Sequence, residues 1–201
     1  MTNPGRHKEF IDRLRGLSVV KRWNFHPSLT TENVAEHSYY VAVYAWLFAT
    51  MDVPLDQVFI NRVVMHALFH DVEEALTGDL PMLVKRMLID PWKVIEWYAF
   101  DQLTETLSTP LKNIVYRNKF NIKDNEVDSD VVHRYVKAGD IFDVLMYCRA
   151  EAKLGNTNYK IIEQESVTLL QKLNLPSVYT ILKEYGYGYK ETNLPEHMTH
   201  L

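Results

Sequence analysis

The chain carries one cysteine, Cys148, in 201 residues. A single thiol makes no internal disulfide and no cysteine-rich zinc site, and it suits a reducing compartment. Glycine is scarce too: there are seven, and the one G-x-G, Gly186 and Gly188, lies near the C-terminus. This excludes the dinucleotide fingerprint and the glycine-rich phosphate loop, which place glycines between a strand and a helix. Phosphate would have to be met by cations or a metal instead of a nest of backbone N–H groups. No apolar run reaches the length of a membrane span, and residues 1–15 are too polar for a signal peptide. Basic residues are not in surplus: 22 Lys and Arg against 26 Asp and Glu leave a formal charge of −4, a poor match for long nucleic acid. These absences predict a cytoplasmic protein with no membrane partner.

What remains has the composition of an ordinary globule, 47% hydrophobic and 24% charged. The length predicts one domain over 1–201, large enough to bury a core without staples. The periodicities predict an all-α fold, and no alternating strand pattern bounded by hairpin turns is present. Helices are expected over about 6–17, 31–51, 56–78, 82–88, 91–107, from 110, 129–154, 159–173 and 177–185. Thr30 or Thr31 is the expected cap of the second. The third is apolar nearly all round at 63–69, which predicts the central buried helix. Residues 118–130 read as an exposed loop, and the Gly-Tyr-Gly-Tyr tail as a surface excursion.

Polar residues on these apolar stripes are the informative ones. His37 lies between Val34 and Val41 on the second helix. Taken alone it reads as a core histidine satisfied by a carbonyl. On the third helix His66, His70 and Glu74 are spaced by four, hence on one face, with Asp71 beside His70. A His-Asp pair in so apolar a helix is costly unless compensated. A divalent metal compensates it; a purely structural pair is the plainer reading of the dipeptide by itself. On the long late helix Asp140 interrupts the stripe Val132, Val136, Val144, Tyr147, with Asp143 nearby. Its plainer reading is a salt bridge to an arginine of another helix. Together, three helices each turn a His or Asp inward. Four N/O donors leave positions open on a five- or six-coordinate ion, as a catalytic site requires. His66 reads as a core residue or as a fifth donor.

The order H…HD…D on a helical scaffold resembles the HD-domain phosphohydrolase superfamily. The segments Arg22-Trp23, Thr31 to Ser38 (TENVAEHS), His70-Asp71-Val-Glu-Glu74, Leu76-Thr-Gly-Asp-Leu-Pro81 with Lys85, and Val136-Lys-Ala-Gly-Asp140 resemble the bacterial HD-domain 5′-deoxynucleotidases more closely. The resemblance spans about residues 13–154, with the C-terminal helices of about 155–190 matching less clearly. It implies a bundle of eight or nine helices around a central metal site. His37, His70, Asp71 and Asp140 would hold one divalent ion, Co, Mn, Zn or Mg. Glu74 would be the catalytic acid, and Arg22 and Trp23 would contact substrate, with Trp23 selecting 2′-deoxyribose. Lys85 falls where a cation can meet phosphate. Asp79 reads either as a substrate contact or as a helix cap.

The resemblance thus implies removal of phosphate from 2′-deoxyribonucleoside monophosphates by a homo-oligomer, dimer or hexamer. Release of triphosphate from deoxynucleoside triphosphates uses the same ligand set and is the alternative. A non-catalytic nucleotide-binding protein on this fold is the third reading, and the intact ligand set with Glu74 argues against it.

Overall fold

The computed structural model describes residues 6–121 and 126–188. Its centre is a pair of helices, α2 (Val34–Asp52) and α8 (Glu126–Lys153). On α2 the buried residues Val34, His37, Val41, Ala45 and Phe48 recur every three or four positions, the spacing that lays one stripe against a neighbour. The helix starts at Asn33 rather than at either threonine. Asn33 accepts from Glu36 N at 3.0 Å while Glu36 returns to Asn33 N, a reciprocal capping box.

Gly139 sets how closely α8 meets α2. A Cβ there would stand 2.6 Å from Val41 O and 3.1 Å from Ala45 N, so only glycine fits without moving backbone. This contact sits one residue before Asp140 and one helical turn from His37.

α3 (Gln57–Phe69) is capped by Asp56, whose carboxylate accepts from Phe59 N at 2.9 Å. It packs on α2 and α8 through Ile60, Val63 and Ala67, but Met65 and Leu68 face outward. It is therefore amphipathic and flanks the centre instead of forming it. It also ends sooner than the apolar pattern predicts. The chain leaves the helix at His70, makes a turn, and re-enters α4 (Glu74–Thr77), which closes at Gly78 with φ 73°. The expected third helix is thus two pieces, with His70-Asp71 at the joint.

α1 (Arg6–Leu14), α5 (Met82–Met87), α6 (Ile89–Thr104) and α7 (Thr109–Phe120) surround that joint. Phe10, Leu14, Phe100, Leu103 and Val115 pack around Val72 in a second apolar cluster. α7 runs three residues into the segment expected as loop and α8 takes up its last five, 126–130; of the remainder, 122–125 lie outside the described residues. α9 (Lys160–Lys172) lies along α8. α10 (Pro176–Glu184) returns to α2, where Asp52 accepts from Ser177 N at 2.9 Å, Ser177 Oγ at 2.9 Å and Tyr135 OH at 3.0 Å. Tyr187 also docks, packing against the main core and reaching Arg149 at 2.7 Å, so the tail begins on the surface of the bundle and not away from it. Residues 189–201 lie outside the described part.

The fold is all-α. Among the described residues the sole β feature is an isolated bridge, Lys21 with Asn33. No described helix is long and apolar enough to cross a membrane.

Candidate metal and substrate site

The bridge at Lys21 closes a loop that returns to the start of α2. Arg22 N donates to Glu32 O at 2.9 Å and Val34 N to Val20 O at 3.0 Å. The loop is also tied to α8 by the buried Glu151, which accepts from Leu29 N at 2.9 Å and from Thr30 N at 2.7 Å, and from Thr30 Oγ1 and Asn156. Burial alone would raise this carboxyl, but those donors outweigh it and hold it near 2. Arg22 and Trp23 are thereby fixed over the N-terminal end of α2.

His37, from α2, is wholly buried. Its Nδ1 lies 2.6 Å from Asp143 Oδ2 on α8. Arg22 Nη1 stands 2.5 Å from that same nitrogen, 3.3 Å from Asp143 Oδ2 and 2.8 Å from Glu32 Oε2. A guanidinium cannot accept, so the two N–H groups converge on the Asp143 carboxylate. Burial and then Arg22 hold His37 well below the usual imidazole range, hence neutral, with the Nε2 lone pair facing away from Asp143. His70 is oriented in the same manner: Nδ1 donates to Ala67 O at 2.6 Å, which frees Nε2.

Both free nitrogens, His37 Nε2 and His70 Nε2, are buried without a hydrogen-bond partner. Carboxylates surround them. His70 Nε2 is 3.1 Å from Asp71 Oδ2, and His37 Nε2 is 3.7 Å from Asp71 Oδ2 and 3.5 Å from Asp140 Oδ1. Four donors on a tetrahedral ion at about 2.1 Å would stand about 3.4 Å apart. The spacing of His37, His70 and Asp71 therefore fits a divalent cation, with Asp140 Oδ1 beside His37 Nε2 as the fourth group. A second group with metal-like spacing, Glu32, His37 and Asp143, already contains a cation, the Arg22 guanidinium. Asp140 turns its other oxygen, Oδ2, to Lys137 at 2.6 Å. Burial would raise Asp140, but Lys137 and His37 bring it far below the carboxylate norm.

Glu74 opens α4 rather than continuing a helical face from His70. One oxygen takes Lys85 Nζ at 2.6 Å; the other, Oε2, is buried and unpartnered. Burial and then Asp71 push this carboxyl up to about 8 against the opposing pull of Lys85. Lys85 itself is closed on its far side by the Trp92 ring, 5.3 Å away.

Arg22, Trp23, His70, Asp71, Asp79, Lys85 and Asp140 all line one cavity of about 1500 Å³. His37 and Glu74 stand behind its wall. Trp23 stacks on Tyr147 with ring centres 4.6 Å apart and planes within 8°, and its Nε1 donates to Glu32 at 3.1 Å. Asp79 lies in the turn between α4 and α5, raised mainly by burial and lowered by Arg22.

Sequence reading missed Glu32 and the role of Asp143, which orients His37 in the way carboxylates orient metal-binding imidazoles. It also missed the structural role of Lys119, which it read only within a basic stretch, Arg117-Asn-Lys119, able to meet triphosphate. That residue, at the end of α7, is buried between Glu73 at 2.7 Å and Glu96 at 2.8 Å, and it donates to His70 O. In an unbroken helix His70 O would take the N–H of Glu74; here Glu74 N turns to Asp71 O at 3.1 Å. Lys119 supplies the replacement donor.

The chain matches the family described as 5′-deoxynucleotidase YfbR-like over residues 9–188. The 5′-deoxynucleotidase YfbR of Escherichia coli is 30% identical over 159 residues, 77% of this chain and 78% of that protein. The 5′-deoxynucleotidase of Citrobacter koseri matches with the same identity and coverage. Among solved structures, an HD-domain phosphohydrolase of Listeria innocua superposes with a TM-score of 0.71 at 22% identity, over 89% of this chain and 86% of that one. The HD phosphohydrolase DatZ of cyanophage S-2L, bound to dA and one catalytic Zn2+ ion, has a TM-score of 0.52 at 16% identity over 84% of each chain. Those two share the fold.

Proposed function

Because the chain belongs to the YfbR-like 5′-deoxynucleotidase family, we propose that it hydrolyses 2′-deoxyribonucleoside 5′-monophosphates to the deoxynucleoside and phosphate. The observation that carries this reading is the pair of buried, unpartnered imidazole nitrogens facing two carboxylates at the edge of a cavity. His37, His70, Asp71 and Asp140 hold the divalent ion. Two imidazoles among the donors favour Zn or Co over Mn or Mg. When bound, the ion neutralises phosphoryl oxygens and activates water.

The remaining work falls to side chains. Arg22 makes its protein contacts through Nη1, so Nε and Nη2 are left for phosphate oxygens. Lys85 adds positive charge beside them. Glu74, raised by burial, carries a proton on Oε2 for the leaving deoxyribose oxygen. Release of that proton is eased by the Lys85 contact, which stabilises the carboxylate left behind. Trp23, braced by Tyr147, gives the sugar C2′ a flat apolar neighbour with no partner for a hydroxyl. Asp79 faces the same cavity and can accept from a sugar hydroxyl.

A second reading, release of triphosphate from deoxynucleoside triphosphates, is supported by the cavity. It exceeds the usual range of about 300–1,000 Å³ for small-ligand pockets, and Arg86, Lys160 and Lys172 add charge to its lining. A panel of dNMPs, dNTPs and ribonucleotides, assayed with Zn, Co, Mn and Mg, separates the two by the product, phosphate or triphosphate. Glu74→Gln should retain metal and lower turnover by about 10²–10⁴-fold; turnover equal to wild type removes Glu74 from the acid role. A dimeric or hexameric assembly belongs to the same proposal, and light scattering of the purified protein reads it.

A further inference from the structure

The cavity wall carries a second pair of histidines for which the proposed hydrolysis has no use. His66 of α3 is 7% exposed and lines the cavity. Its Nδ1 donates to Asn118 O at 2.9 Å, so Nε2 keeps only a lone pair. That nitrogen is buried with no partner. His133 of α8, also in the lining, faces it with ring centres 5.8 Å apart and planes tilted by 38°.

Two imidazoles sharing an ion at about 2.1 Å have ring centres roughly 5–6 Å apart. The His37–His70 pair stands at 5.3 Å. His133 is exposed, so water can complete a coordination shell. Lys137, one turn beyond His133, has its charge taken up by Asp140 at 2.6 Å. An anion suits the pair badly. Burial brings His66 down to about 4, and a neutral imidazole with Nδ1–H committed to a carbonyl offers an anion no donor.

We propose that His66 and His133, with water completing the shell, form a second divalent-cation site on the cavity wall, suited to a borderline ion such as Zn2+ or Co2+. An ion there adds positive charge to the cavity assigned above to the nucleotide; only this consequence rests on the proposed function.

Chelator-stripped protein titrated with Co2+ tests the site, with calorimetry and visible absorption as readouts and bound metal counted by mass spectrometry after gel filtration. Wild type should take up two equivalents. His66→Gln and His133→Ala should each take up one, with the tighter equivalent unchanged. His133 is exposed, so its variant serves even where His66→Gln does not fold. His70→Ala should lose the tighter equivalent and keep the weaker. One equivalent in wild type, lost in His70→Ala and kept in His133→Ala, overturns the second site and leaves the first intact. Two equivalents surviving in both His66→Gln and His133→Ala overturn it as well. No uptake by wild type overturns both.

Discussion

Trp23 has a left-handed backbone, φ 64°, a conformation costly for a bulky side chain. The hydrogen bond from His26 N to Trp23 O at 2.9 Å and the stack on Tyr147 hold it there. The indole is thus positioned before any substrate arrives. Trp23→Ala should lower the deoxyribo/ribo ratio of kcat/KM by about 10–100-fold, and a ratio equal to wild type would remove Trp23 from sugar selection. Glu151 acts on the same loop from behind. Its carboxyl is held near 2 against an ordinary 4.5, so its stabilisation is complete above about pH 4.5 and is lost as pH falls through the folded value. Glu151→Gln should cost about 1–3 kcal/mol at pH 7, with the gap to wild type closing towards pH 2 in urea unfolding followed by circular dichroism. A gap independent of pH would show that the charge is not the stabilising element. At this scale inward-facing donors could be read from helical spacing, because His37 and Asp140 interrupt local apolar stripes. Glu32, Asp143 and Glu151 could not, since each meets its partners far along the chain and nothing in its own neighbourhood marks the meeting.

The end of α3 shows why element boundaries were partly hidden. The apolar period runs on to 76, so the sequence reads as one helix, yet the chain turns at His70. The cause is distant: Lys119, from α7, takes the carbonyl that helix continuation would need. In sequence Lys119 belongs to a polar basic stretch, Arg117-Asn-Lys119, that looks solvated. The starts expected at 56, 110 and 177 and the end expected at 154 needed no distant partner and fell within a few residues of expectation. Lys119→Met leaves the buried Glu73 and the half-buried Glu96 without their cation and should cost about 3–5 kcal/mol in urea unfolding. Calorimetry on the folded fraction should also show weaker metal binding, because the His70-Asp71 turn loses its brace. Unchanged stability and metal affinity together would remove Lys119 from that role.

On the scale of the molecule, four donors from three separate stretches of chain meet only after folding. A divalent ion that binds them therefore stabilises the fold against an unfolded chain with no such site. At about 100 times its Kd the gain is about 2.7 kcal/mol, seen as a rise in Tm that a chelator reverses and that His37→Ala abolishes. A Tm indifferent to metal would count against a preformed centre. The close contact at Gly139 bears on motion as well. With no side chain on Gly139 where α8 meets the backbone of α2, there is no rotamer at that contact to shift, and His37 and Asp140 ride on one stiff block. Opening of the cavity then falls to the opposite wall, the turn at Asp79 and the short α5. Relaxation-dispersion measurements should find millisecond exchange concentrated over 79–88 and absent over 37–45 and 136–140. The cleft would work as a fixed anvil and a moving jaw, with the proposed ligands His37 of α2 and Asp140 of α8 on the anvil.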